Sequence, residues 1–354
     1  MPNFIFNFVF RQHRKSFNTM KITAAAFISL SVLTVLLGVA NVMYGAVSIP
    51  ADAVWDILLG SGCDNRAWEY IIIESRLPQM ITAFLSGAAL SVSGLLLQTA
   101  FANPLAGPSI LGISSGAGLG VALVMMLTGG VLSFAGTQWA GIAATTISAL
   151  IGAFAVMLIV LAIAVRVKNK ITLLIAGLMV GYLVSSVVSI LSSVSNSEGI
   201  QNYVMWGFGS FGGVTLKLLP IYALLLGIGL LFAVLLIKPL NALLLGNNYA
   251  ENLGVNIRRI RLYLLADTGL LAAVITSFCG PISFIDVVVP HISRMIIRTD
   301  NHLKLVPCTM LTGGAIALFC NLMTILPSSG VTIPLNAITP IIGAPVIIYL
   351  LLRK

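Results

Sequence analysis

The sequence predicts an all-α protein that crosses a membrane about ten times. Hydrophobic residues make up 58% of the 354 residues and charged residues only 8%, against about half and about a quarter in a soluble domain. Apolar windows of about 20 residues, the length that crosses a bilayer, recur along the whole chain. Lys and Arg gather in alternate connections between these windows. Little of the chain is left for a separate soluble domain.

Ten windows, broken by charge, by Gly and Pro, or by Asn and Ser clusters, qualify as spans. They cover approximately residues 22–44, 77–98, 109–127, 140–165, 171–194, 218–237, 260–279, 282–297, 305–326 and 335–352. At 23 residues, the first window is too long for the apolar region of a signal peptide, so we expect an uncleaved span. The predicted organisation is a cytoplasmic N-terminal segment, 1–21, and one transmembrane domain, 22–354. Met20 is an alternative start of translation.

The positive charges predict the orientation. With the N-terminus inside, all but three of the 19 Lys and Arg residues fall on the cytoplasmic side, as the positive-inside rule requires. The exceptions are Arg66, Arg76 and Lys217. We expect a multi-pass protein of a bacterial inner membrane with both termini in the cytoplasm. The net charge of +9 is explained by these short inner loops and does not indicate a nucleic-acid partner.

The sequence lacks the motifs of an enzyme. Its four cysteines and three histidines never occur at metal-ligand spacing. No H-E-x-x-H or phosphate-binding G-x-x-x-x-G-K-[ST] motif occurs, and the single match to G-x-S-x-G, Gly112–Gly116, belongs to the small-residue run of the predicted third span. We therefore expect no catalytic residue, cofactor or metal on this chain, and any ATP that drives it must bind a separate subunit.

Small residues predict close packing in the second and third spans. Gly87 lies in a run of small residues spaced four apart, and Gly112, Gly116 and Gly120 repeat the G-x-x-x-G spacing. Such faces let helix backbones approach closely. The segment between the two spans, 103–108, contains two prolines and predicts a tight inner turn.

The fifth span carries a polar stripe. Ser185, Ser189, Ser192, Ser193 and Asn196 fall on one helical face. One interpretation is a water-lined translocation pathway for a bulky polar cargo. The other is that the hydroxyls bond back to their own helix or across to a neighbour. The sequence does not decide between them.

The segment 203–213 follows this stripe and predicts a gate. It is rich in glycine and aromatic residues, including Trp206, Gly207 and Gly209. The pattern indicates a short outer helix or re-entrant turn, which a membrane protein tolerates only where protein or water covers the backbone.

An inner loop at about 238–259 predicts an exposed helix. Short apolar and polar residues lie between Gly246 and Gly254, and Gly254 is placed to cap the C-terminus of that helix. A helix of this kind suits contact with a partner protein.

The last third of the chain predicts broken helices. Gly280-Pro281 ends the seventh span, and Pro290-His291 interrupts the eighth. Asp267 and Asp286 lie in these segments. An intramembrane carboxylate is a candidate functional group, although either residue could equally be neutral or paired within the bundle.

These segments together resemble the FecCD-type permease family of ABC importers, which serves siderophores, haem and cobalamin. The resemblance extends from Arg76 to the C-terminus, and it includes similarity to cobalamin importer permeases. The matching blocks are Arg76-Leu77-Pro78, Gly94 with Gln98, Asn103-Pro104-Leu105-Ala106 through Pro108 to Leu111-Gly112-Ile113-Ser114 and Gly116-Ala117, Trp206-Gly207 with Gly209-Ser210, Ala250 with Leu253-Gly254-Val255, Gly280-Pro281-Ile282 with Phe284, Pro290-His291 with Arg294, and Gly343-Ala344-Pro345.

The resemblance implies partners and roles for particular residues. It implies two permease subunits, identical or different, above a cytoplasmic ATPase dimer, with a substrate-binding protein docking outside. The ATPase would contact the inner helix. The residues implied in that coupling are Asn248, Ala250, Glu251, Leu253, Gly254 and Arg258. Arg76 would pair with a carboxylate of the binding protein.

The chain departs from the family pattern at three places. Gln79 stands at the second basic docking position, Asn321 lies where the ninth span often ends in charged residues, and Asp286 replaces a common Gly. The predicted function is nevertheless the permease subunit of an importer for an iron-siderophore, haem or cobalamin-type chelate. The alternative is a stand-alone transporter coupled to ions, for which only the two intramembrane aspartates could supply a site.

Overall fold

Helices make up nearly all of the chain that the structure describes, and no strand occurs in that part. The computed structural model describes residues 2–61, 63, 65–127, 138–167, 169–325 and 333–352, with side chains from residue 23 onward except at 138–140, 350 and 351. Three of the predicted cytoplasmic basic residues, Lys168, Arg353 and Lys354, lie outside the described residues. The predicted all-α fold class is confirmed.

The α-helices in the described part follow one another along the chain with short connections. They are α1 Pro2–Met43, α2 Ala51–Leu58, α3 Arg66–Tyr70, α4 Leu77–Phe101, α5 Ile113–Leu127, α6 Gln138–Arg166, α7 Lys170–Val194, α8 Ser197–Gly207, α9 Leu219–Leu235, α10 Ile237–Leu243, α11 Asn247–Asn252, α12 Ile257–Cys279, α13 Ile285–Ile297, α14 His302–Ile325 and α15 Leu335–Leu352. A π-helical stretch, Ile71–Arg76, joins α3 to α4, and 3-10 turns occupy Pro108–Leu111 and Phe211–Gly213.

The helix lengths agree with the prediction of about ten spans. Among the described residues, six helices are long and apolar enough to cross a membrane, and α9 with α10 makes a seventh if their 49° bend lies within one span. The helices α5 and α15 are shorter and apolar. The 13 residues of α13 rise only about 20 Å, and a non-helical segment precedes it, as the Gly-Pro break predicts.

The centre of the bundle is α4. In the span that contains it, 78% of the apolar window is buried, against 17% in α7. Gly87 lies so close to the carbonyl oxygen of Gly313 on α14 that a Cβ has no room, and Gly94 meets the carbonyl oxygen of Asp286 in the same way. The small residues therefore bring α13 and α14 against the backbone of α4.

Packing between α5 and α6 uses the predicted glycines, with one correction. Gly116 and Gly120 face the carbonyl oxygens of Gly152 and Ser148 on α6. Gly112 lies outside α5: with φ of +78° it separates the 3-10 turn from that helix, and it faces Gly177 of α7. A left-handed residue cannot continue the same helical face, so the G-x-x-x-G run covers α5 only from Gly116.

Two elements were missed by the sequence analysis. The helix α2 is amphipathic and buries Ala53, Val54 and Ile57 against the end of α1. The second span begins near Arg66 rather than residue 77, because α3 and the π-helical stretch continue into α4. Polar residues in both segments lower their hydropathy, so a search for apolar windows does not find them.

Candidate translocation and coupling sites

The short helix α11 projects from the bundle as the sequence predicts. Gly254 has φ of +81°; its N–H donates to Glu251 O at 2.9 Å, and the N–H of Val255 donates to Ala250 O at 3.0 Å. These two bonds form a Schellman cap. The helix therefore ends sharply at a fixed place.

The surface of α11 is open for a partner. Ala250 is fully buried and anchors the helix, whereas Tyr249 is 53% and Leu253 58% exposed. Asn248, Glu251 and Arg258 are also exposed. Arg258 donates a hydrogen bond to the carbonyl of Val165 at the end of α6, so it fixes the adjoining helix α12 as well as offering charge.

A buried histidine, which the sequence analysis missed, connects α10 to the centre of the bundle. The backbone N–H of His302 donates to Asn241 Oδ1 at 2.8 Å, and its Nδ1 lies 3.0 Å from the same oxygen. That oxygen can only accept, so Nδ1 carries the ring proton. Nε2 lies 2.9 Å from Thr99 Oγ1 on α4. These bonds connect α10 with α4 and α14.

The polar stripe on α7 shows the back-bonding that the second interpretation of the sequence predicts. Ser185, Ser189, Ser193 and Asn196 are exposed in the single chain. Hydroxyls along the stripe bond back to their own helix, as Ser189 Oγ does to Ser185 O at 3.0 Å. The stripe is therefore accessible, although it presents fewer free donors than its serine count suggests.

Two members of the stripe differ from the rest. Ser192 is half-buried, and its Oγ lies 3.6 Å from Met126 Sδ of α5. Asn196 Oδ1 accepts the N–H of Gly199 at 2.9 Å and caps the N-terminus of α8.

The predicted gate, 203–213, forms the end of α8 and the turn after it. We define the gate segment as residues 206–213. Trp206 stacks on Tyr203 with ring centroids 6.2 Å apart, and Gly209 has φ of +70°. Asn336 at the start of α15, which the sequence analysis did not select, donates to Gly207 O at 2.9 Å. The gate segment is thus attached to α15.

Arg76 does not offer a free charge for docking, which corrects the sequence prediction. Its side chain is 5% exposed. Nη1 donates to Val42 O and Met43 O, both at 2.9 Å, and Nη2 donates to Val47 O. Because carbonyls at the end of α1 and in the segment after it surround the guanidinium, this residue joins α1 to the start of α4.

The two neighbouring departures from the family pattern lie together. Gln79 Nε2 donates to Asn321 Oδ1 at 2.9 Å, and Asn321 Nδ2 donates to Asn41 Oδ1 at 2.7 Å. Arg76, Gln79 and Asn321 line a cavity of about 510 Å³ together with Phe208 of the gate segment. Uncharged amides therefore line this cavity at two positions where the family pattern has charged residues.

The two intramembrane aspartates have different surroundings. Asp286 Oδ2 accepts from Ser109 Oγ at 3.0 Å, and Oδ1 accepts from the N–H of Val287 at 3.1 Å. Its place in the first turn of α13 suits a negative charge. Asp267 is 3% exposed, and neither carboxylate oxygen has a hydrogen-bond partner among the described residues. Asp286 thus joins α13 to the 3-10 turn Pro108–Leu111.

Comparison with known proteins agrees with this architecture. The FecCD transport family matches residues 33–353. The vitamin B12 import system permease protein BtuC of Klebsiella pneumoniae is 35% identical over 308 residues, covering 84% of this chain and 90% of that protein. The hemin transport system permease protein HmuU of Yersinia pestis is 31% identical over 326 residues, covering 92% and 94%.

A solved structure extends the agreement to the fold. It is an inward-facing conformation of an ABC transporter assigned to the metal-chelate type, with a TM-score of 0.79 and 27% sequence identity. The alignment covers 92% of this chain and 98% of that one. The chain therefore belongs to the FecCD transport family and is a membrane-spanning transport permease.

Proposed function

We propose that this chain is the permease subunit of an ATP-driven importer that carries an iron-siderophore, haem or cobalamin-type chelate into the cytoplasm. The observation that carries the proposal is the capped, exposed helix α11 together with its connection through α10 to His302. A stand-alone carrier needs no projecting helix of this kind. The named cargoes of the relatives, vitamin B12 and hemin, favour a large metal chelate.

The energy source in this proposal is a separate ATPase pair. The sequence contains no phosphate-binding motif of its own. Tyr249 and Leu253 give α11 an apolar surface beside the exposed Asn248 and Glu251, and such a mixed surface suits a groove on another protein. Closure of the ATPase pair would displace α11 and, through Asn241 and His302, the helices α4 and α14.

The pathway in this proposal lies between two permease subunits. The stripe of Ser185, Ser189, Ser193 and Asn196 is open on a single chain, and a second permease facing it would enclose a polar channel. A substrate-binding protein would dock at the end of the bundle that carries α8. Since Arg76 is engaged by backbone carbonyls, that docking would depend on shape and neutral polar groups more than on this charge.

Purification from native membranes tests the proposal. We expect the chain to co-purify with a nucleotide-binding subunit whose hydrolysis is inhibited by vanadate, and to import a labelled chelate into proteoliposomes only with ATP. Recovery of the chain alone, with uptake driven by an ion gradient in the absence of ATP, would contradict it. Asp267 would then be the residue to change first.

A further inference from the structure

Asn336 joins three separate parts of the backbone. Its Nδ2 donates to Gly207 O at 2.9 Å and to Pro281 O at 2.7 Å, and its Oδ1 accepts from the N–H of Ser283 at 3.2 Å. Its own backbone N–H donates to Phe208 O at 3.1 Å. One residue thereby connects the end of α8, the break between α12 and α13, and the first turn of α15.

These backbone groups need a partner because they lie at a helix end or in a break between helices, within a membrane-spanning bundle. Unbonded N–H and C=O groups are strongly disfavoured there. A primary amide supplies two donors and an acceptor from one side chain. Serine or threonine has a single donor, and aspartate has none when ionised, so neither can serve two carbonyls and an N–H together.

The gate segment rests directly on the helix break. The N–H of Ser210 donates to Cys279 O at 2.8 Å. Gly209 and Gly280 both have positive φ, and a Cβ on Gly280 would lie 2.6 Å from Trp206 O. Because the two glycines bring these backbones together, the gate segment can move away from the break only if the bonds of Asn336 are broken.

We propose that Asn336 is the positioning residue that latches the gate segment onto the break between α12 and α13. The gate segment moves away from the break only when these side-chain bonds and the bond from the N–H of Ser210 to Cys279 O are released. The importance of this motion for transport rests on the proposed function, whereas the latch itself is a property of the chain.

Cys279 is the reporter for the test, because it is the last residue of α12 before the break, its carbonyl accepts from Ser210, and its thiol is buried against Ser86 and Tyr222. The full chain, with any subunits that accompany it, is placed in lipid nanodiscs and treated with a water-soluble thiol reagent, and modified cysteines are located by mass spectrometry. We expect Asn336→Ala to accelerate modification of Cys279 about tenfold, a change equivalent to about 1.4 kcal/mol in the opening equilibrium.

The matched control is Asn41→Ala. Asn41 is also a buried amide whose Nδ2 donates twice, to Leu37 O and Leu318 O, but it joins α1 to α14. Its loss should leave the rate at Cys279 unchanged. An unchanged rate in Asn336→Ala, or equal acceleration by Asn41→Ala, would overturn the latch.

A second variant is used in case Asn336→Ala does not fold. Asn336→Asp keeps the shape and the acceptor for Ser283 but loses both donors, so it should also expose Cys279. If neither variant folds, hydrogen exchange in the unmodified protein decides: the amides of Ser210, Ser283 and Asn336 should exchange at one common opening rate, and three unrelated rates would contradict the latch. Because labelling needs neither ATP nor cargo, a failure of transport and a failure of the latch are separate results.

Discussion

Arg76 shows how a cation is accommodated at the edge of a membrane-spanning bundle without a carboxylate partner among the described residues. Two carbonyls at the end of α1 and one in the segment after it accept its hydrogen bonds, and charge-assisted bonds are stronger than neutral ones. The guanidinium also lies against Gly45, where a Cβ would be 2.6 Å from three of its atoms. A planar side chain and a residue without a Cβ are both required by this arrangement.

We expect Arg76→Lys to destabilise the protein by about 2 kcal/mol or more, because one ammonium cannot bond all three carbonyls in this geometry. Thermal unfolding of the detergent-solubilised chain measures the effect. It should be the same at low and high salt, since buried contacts are little screened. Arg66→Lys, at an exposed position, is the control and should change little. If Arg76→Lys leaves the stability unchanged but weakens binding of a docking partner in a salt-dependent way, Arg76 has the docking role that the sequence predicted.

Residue-level predictions from the sequence succeed where the signal is local. The cap at Gly254 follows from the pattern of neighbouring residues, and the structure confirms it. Asn41 and Asn321, or Asn241 and His302, lie far apart in the sequence and meet only through helix packing. Periodicity within one helix carries no information on such partners, so these networks could not be predicted.

The element with the clearest mechanical role is α11. It is only six residues long, too short to be stable alone, and it depends on buried Ala250 and on its Schellman cap. The left-handed backbone at Gly254 closes that cap.

We expect Gly254→Val to leave ATP hydrolysis by the assembled importer in place while import falls, because a β-branched residue at positive φ costs about 1–3 kcal/mol and distorts the end of α11. Vesicle assays of import and of ATP hydrolysis on one preparation measure the ratio of cargo imported to ATP hydrolysed. The control is Gly227→Val in α9, where a Cβ meets nothing within 4 Å. An unchanged ratio in Gly254→Val would show that α11 is not the contact.

Among elements, apolar spans are the part that sequence predicts well. Burial in lipid makes hydropathy a direct signal, and the spans agree with the described helices. The helix α2 and the stretch 66–76 were missed because they carry Asp, Glu and Arg beside their apolar residues. Gly112 was misassigned because its left-handed backbone, and not its spacing, decides its role.

The whole molecule is asymmetric about α4. One side is packed, with α12 and α14 largely buried, while α7 presents two exposed faces. The serine stripe lies on one of them, and apolar side chains such as Leu183 and Ile190 lie on the other. This division suits a helix with a channel on one side and lipid on the other.

We expect Ser189→Cys and Ser193→Cys to react with water-soluble thiol reagents in the assembled importer, because a water-filled pathway allows ionisation of a thiol that lipid suppresses. Ile190→Cys, 66% exposed in the single chain, is the matched control on the apolar face and should stay unmodified. If neither introduced cysteine at 189 or 193 reacts in any transport state, the stripe is packed against protein or lipid. If the cysteine at 190 reacts equally, the two faces of α7 do not differ in their access to water.

The back-bonded hydroxyls of α7 also bear on the interval between synthesis and assembly. Ser186, Ser189 and Ser193 donate to the carbonyls of Tyr182, Ser185 and Ile190, so their protons stay satisfied without water. In the proposed pair of permeases, the subunit inserted first can therefore hold this face against acyl chains at little energetic penalty until the second subunit arrives. Production of the subunits need not be synchronous, because the same helix is chemically acceptable to lipid first and to water later.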